Sequence, residues 1–142
     1  MTACSSASTA EASSIVHAWG NLPSYIAEEW NAYVNDALVA AEDKRADGQI
    51  DCAMGTLELG VYSVAMAMAV EKYDPESWKD ESSLKLFMQS EWKRAKAAFD
   101  ECAPIFPYRN QDKMLDHLRT SSDAEAMRAF IRKHLDGVWL SP

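Results

Sequence analysis

Residues Asp51–Lys72 read DCAMGTLELGVYSVAMAMAVEK. Ile50, Met54, Leu57, Val61, Val64 and Met68 follow alternating steps of four and three, which is one face of an α-helix. A second stripe runs through Leu59, Tyr62, Met66 and Tyr73. Two stripes predict a helix covered from more than one side, the central helix of a bundle. Gly55 and Gly60 lower helix propensity and mark either a close helix crossing or a local break. A strand over Thr56–Val64 is the competing reading. Glu58, the glycines and the other small residues make Cys52–Val70 a poor membrane span.

The flanking segments repeat the helical pattern. Upstream, Met1–Ser13 is rich in Ser, Ala and Thr, and residues 1–8 read as a flexible tail before a single helical domain over 9–142. A short helix is predicted over about Thr9–Trp19, broken by Gly20 and Asn21. Pro23 suits the first turn of the next helix. Ile26, Trp30, Tyr33, Val34, Ala37, Leu38 and Ala41 supply its apolar face, and Gly48 stops it.

Downstream, Asp74-Pro75 opens a short turn around Trp78. A helix over about Glu81–Cys102 follows, with Leu84, Met88, Trp92, Ala95, Phe99 and Cys102 inward. Pro104 and Pro107 force Ile105–Tyr108 into an apolar loop. Asn110 caps a helix carrying Met114, Leu115 and Leu118. Ser122-Asp123-Ala124-Glu125 reads as a capping box for a last helix, with Met127, Phe130, Ile131 and Leu135 inward and Gly137 as C-cap. No strand pair or hairpin signal accompanies these. The expected class is an all-α, single-domain bundle of five to six helices around the apolar helix at about 51–72.

Acids outnumber bases 22 to 14, for a net charge of -8 and a pI near 4.8. Phosphate backbones and anionic lipid repel such a chain, so neither nucleic acid nor a membrane surface is an expected partner. With 48% hydrophobic residues the chain has enough apolar surface to fold. Three cysteines, Cys4, Cys52 and Cys102, make an odd count without a Cys-x-x-Cys spacing. Cys52 and Cys102 read as buried, inert thiols, and a cytoplasmic, reducing location follows. No basic n-region and apolar h-region open the chain.

Motifs for chemistry are sparse. His17, His117 and His134 form no Glu-x-x-His or His-Glu-x-x-His step, and no glycine-rich phosphate loop or nucleophile elbow occurs. Asp112, Asp116 and His117 share a helix face in part, which a solvated surface explains. No cofactor, no metal and no catalytic residue is therefore expected. Arg128 and His134, with five residues between them, resemble the Arg–His spacing of HEPN-type ribonucleases. That resemblance implies imidazole acid–base work beside a guanidinium that steadies phosphate charge. It covers two residues, lacks the polar residue often found after the Arg, and coincides with what a helix C-terminus favours anyway.

The charge distribution says more. Residues 1–60 hold nine acids and two bases, while residues 61–142 hold thirteen and twelve. Glu29, Asp36 and Asp43 recur every seven residues, about 10.5 Å apart along one helix face, with Glu28 and Asp47 flanking. Such a ladder fits a Lys/Arg groove. Phe106, Tyr108 and Trp139 at loops are candidate apolar anchors beside it. The leading expectation is a non-enzymatic, protein-binding protein whose carboxylates block a basic, nucleic-acid-handling partner. Small acidic helical proteins among phage-encoded inhibitors and immunity proteins offer the analogy. The alternatives are the ribonuclease just described and a self-associating assembly protein using the second stripe of 51–72.

Overall fold

The computed structural model describes residues 24–43, 52, 54–80, 82–107 and 110–141. The expected tail over 1–8, the Thr9–Trp19 helix, Gly48, and the site candidates Asp47 and Tyr108 lie outside them. Five α-helices follow in order: α1 (Tyr25–Asp43), α2 (Leu59–Tyr73), α3 (Ser83–Cys102), α4 (Gln111–Thr120) and α5 (Glu125–His134). A π-turn over Met54–Glu58 leads into α2, and short 3-10 turns, Pro75–Trp78 and Ser122–Ala124, precede α3 and α5. No strand occurs among the described residues, so the competing reading of Thr56–Val64 is displaced by helix.

The apolar stripes explain the packing. α1 buries Ile26, Ala27, Trp30, Val34, Ala37, Ala40 and Ala41. α3 buries Met88, Trp92, Ala95, Ala98, Phe99 and Cys102. These two helices pack along each other, and α2 lies against α1, α3 and α5. Ser82 opens α3 by accepting a hydrogen bond from the Lys85 amide at 3.2 Å. Trp30 stands at the centre, fully buried, edge-on to Phe87 and Trp92 with ring centroids 6.4 and 6.3 Å away.

Both glycines of the decisive stretch mark a close crossing. A Cβ on Gly55 would sit 2.9 Å from Tyr33 Cβ, and one on Gly60 would sit 3.2 Å from the Trp30 ring. The wide π-turn brings the Thr56 carbonyl to the Trp30 indole N–H, which donates to it at 3.1 Å. Thr56 in turn donates its hydroxyl to the Cys52 carbonyl. A buried indole N–H is thus satisfied by backbone that a regular helix would have used internally.

Four expectations need correction. The second stripe of the 51–72 segment is not covered throughout, because Tyr62 and Tyr73 are 44% and 75% exposed. Their polar tips suit rings that stand partly in water. The cap before α5 is Ser121, whose hydroxyl accepts from the Asp123 amide across a 3-10 turn; the Ser122–Glu125 box does not form. α5 ends at His134, three residues before Gly137, and Val138 is exposed. Trp139 makes the buried contact instead.

The largest correction concerns the cysteines. Cys52 and Cys102 form a disulfide, with Cα atoms 5.9 Å apart, rather than standing as separate thiols. It ties the segment before the π-turn to the last residue of α3. The cytoplasmic expectation rested on unpaired thiols and loses that ground. No helix among the described residues is long and apolar enough to cross a membrane.

Candidate functional site

α1 is amphipathic in charge as well as in hydrophobicity. Its sequence YIAEEWNAYVNDALVAAED contains five acids and no base. Helical geometry places Glu29, Asp36 and Asp43 within about 40° of one another, away from the Trp30/Val34/Ala41 side. Glu28, Asp36, Glu42 and Asp43 are exposed and Glu29 is half-buried. The Tyr25 phenol donates a hydrogen bond to Glu29, and this bond and the Glu29 charge hold the phenol above its ordinary pKa. Val39, 63% exposed, lies one turn from Asp36 on one side and from Glu42 and Asp43 on the other. The outer face is therefore carboxylates bracketing one apolar side chain.

The nearest base on the neighbouring helix does not neutralise that face. Arg94 of α3 reaches α1 but donates to the side-chain oxygens of Asn31, at 3.0 Å, and Asn35. Its charge is met by Glu91, buried on its own helix, at 2.9 Å. Among the described residues no lysine or arginine pairs with Glu28, Glu29, Asp36 or Glu42.

The loop aromatics divide. Phe106 is half-buried and packs on the core. Trp139 is fully buried and is corrected from partner anchor to core plug. Its ring packs at a tilt against Phe99 and Trp92, with centroids 5.2 and 5.8 Å away, its indole N–H donates to the Trp92 carbonyl, and its own carbonyl accepts from Arg119. A tryptophan this enclosed gives a partner no surface.

Arg128 and His134 do not converge. Arg128 donates to the carbonyls of Leu118 and Ser121 at 3.0 and 2.7 Å, satisfying the C-terminal end of α4. His134 lies nearly two turns away, packed against Trp78 and Phe130, with its Nε2 2.6 Å from Glu71. Lys133 donates to the same Glu71 oxygen at 2.9 Å. The Lys133 hydrogen bond is the largest influence holding the Glu71 carboxyl below its ordinary range, with burial opposing it and His134 assisting. Both members of the ribonuclease-like pair thus have structural partners.

A feature that local sequence reading missed is a cavity of about 670 Å³ between α2 and α4. Val61, Met114, Leu118 and Met127 form apolar walls, and Glu58, Tyr62, Lys113 and His117 stand around them. The phenol of Tyr62 donates to Glu58 at 3.0 Å. Burial and that carboxylate hold the phenol above its ordinary pKa. Of the trio Asp112, Asp116 and His117, only His117 reaches the cavity. The walls come from segments fifty residues apart, which no periodicity links. The one local signal was Lys113 and His117 riding one turn apart beside Met114 and Leu118. Comparison of the chain with protein-family models, with curated proteins and with solved structures finds no match.

Proposed function

We propose that the protein is a non-enzymatic binding protein whose α1 face docks onto a basic protein surface, in the manner of an inhibitor covering a nucleic-acid-handling site. The observation that carries the reading is the one-sided chemistry of α1, with five acids, no base and an exposed valine among the carboxylates. Carboxylates at helical spacing present repeated negative charge to a Lys/Arg groove, and Val39 offers an apolar contact among those of the last turns. The same charge disfavours direct contact with nucleic acid. Arg128 and His134, both engaged in holding helix ends together, support a role without catalysis.

The test is capture of partners from the native host on immobilised full-length protein, compared with Glu29→Lys/Asp36→Lys/Asp43→Lys. The wild-type partner should elute with salt and with heparin. The reversed protein should keep its helical circular dichroism and lose affinity by on the order of 100-fold or more. Retention of the same partner by the reversed protein removes the acidic-face reading.

A further inference from the structure

We infer that the cavity between α2 and α4 is a binding site for an amphipathic carboxylate, a molecule with an apolar chain or ring system and a single anionic head. The volume, about 670 Å³, is in the range of small-molecule sites, and the walls are mostly hydrocarbon and thioether. Met114 of α4 and Met127 of α5 both line it, and unbranched thioethers adapt to the shape of an apolar guest.

The head group follows from which charges already have a task. Glu58 accepts the Tyr62 phenol. Asp123 sits in the first turn of the 3-10 segment leading into α5, where backbone N–H groups favour an anion. Lys113 and His117 have no side-chain partner among the described residues. Lys113 also lies in the first turn of α4, where the helix dipole disfavours a cation, so the helix itself does not explain it. Asn110, also on the cavity, occupies the N-cap position without making a side-chain cap bond, so the first-turn backbone N–H groups keep their donors, and its own side-chain NH2 is a further donor there. Lys113, Asn110 and the uncapped first turn of α4 thus bring positive charge and hydrogen-bond donors to one end of an apolar cavity. His117, one turn further on, extends that side. A carboxylate head meets them, and its apolar body lies along Val61, Leu118 and the two methionines.

Calorimetric titration of the full chain with dodecanoate, dodecanol and dodecylamine, each below its micelle concentration, tests the proposal. Dodecanoate should bind about tenfold or more tightly than dodecanol, with dodecylamine weakest. Lys113→Met keeps the apolar stem and removes the charge at an exposed position. It should cost dodecanoate about tenfold and leave dodecanol unchanged. Amide chemical shifts should move around residues 58–62, 113–118 and 123–127. Affinity independent of the head group, no binding below millimolar dodecanoate, an unaltered affinity in Lys113→Met, or shifts confined elsewhere would each overturn it.

Discussion

α1 and the stretch from Glu71 to Asp136 are both rich in acids, yet the two use them differently. In the later stretch six carboxylates meet bases: Glu76 with Lys79, Asp80 with Lys85, Glu91 with Arg94, Asp100 with Lys96, Asp136 with Lys93, and Glu71 with Lys133 and His134. On α1 the cationic neighbour, Arg94, contacts asparagines instead. Charges that support a fold are paired across short distances. Charges that serve an encounter are best left open, because prior pairing would have to be broken on docking. The difference teaches that net charge alone, shared over the whole chain, understates how one-sided the surface of α1 is.

The largest effects should come from the apparatus that holds α1 in place. Trp92→Ala removes a ring that contacts Trp30 and Trp139 and donates to the Asp136 carbonyl, and should cost about 3–5 kcal/mol in urea unfolding. The double variant Cys52→Ser/Cys102→Ser releases a cross-link spanning 50 residues. On the chain-entropy account it should lose about 4 kcal/mol, read as a lower unfolding midpoint and matched by adding reductant to the wild type. Gly55→Ala drives a methyl into Tyr33 and should cost about 1–3 kcal/mol.

Smaller effects sharpen the contrast between the two regions. Glu71→Gln should cost about 1 kcal/mol at pH 7, because Lys133 and His134 lose their shared carboxylate. Glu71 is depressed in the folded state, so its contribution is present above the ordinary carboxyl value of 4.5 and disappears as pH falls through the lower folded value. The gap between wild type and Glu71→Gln should therefore close on acidification below about pH 4.5. Glu28→Gln/Asp36→Asn/Glu42→Gln on α1 should change stability by no more than about 0.5 kcal/mol, and in the stabilising direction at low salt, since these carboxylates repel one another. A loss above 1 kcal/mol would break the contrast by showing that the fold needs them.

How much of this was legible in the sequence depended on how local the cause was. The stripes of α1 and α3 named most of their core residues because hydrophobic spacing is a property of the helix itself, although Tyr33, read as part of the α1 stripe, is exposed. Gly55 and Gly60 signalled a close crossing, though Tyr33 and Trp30 as the crossing partners required the fold. Ser121 rather than Ser122 caps the turn before α5, a one-residue choice that side-chain chemistry alone leaves open. The Cys52–Cys102 disulfide escaped because an odd cysteine count and a wide separation carry no pairing rule. Trp139 was misplaced because the chain end gave no sign that Trp92 and Phe99 would enclose it. On the candidate face, the seven-residue ladder was readable, whereas the engagement of Arg94 by Asn31 and Asn35, which keeps that guanidinium off Glu29 and Asp36, depended on two helices meeting.

The central claim is that the carboxylates of α1 carry function without supporting the fold. Its most direct test measures the unfolding midpoint and the affinity for a captured host partner on the same preparation of Glu28→Gln/Asp36→Asn/Glu42→Gln. The account predicts an unchanged or slightly raised midpoint together with an affinity lowered at least tenfold. A lowered midpoint with undiminished affinity would contradict it.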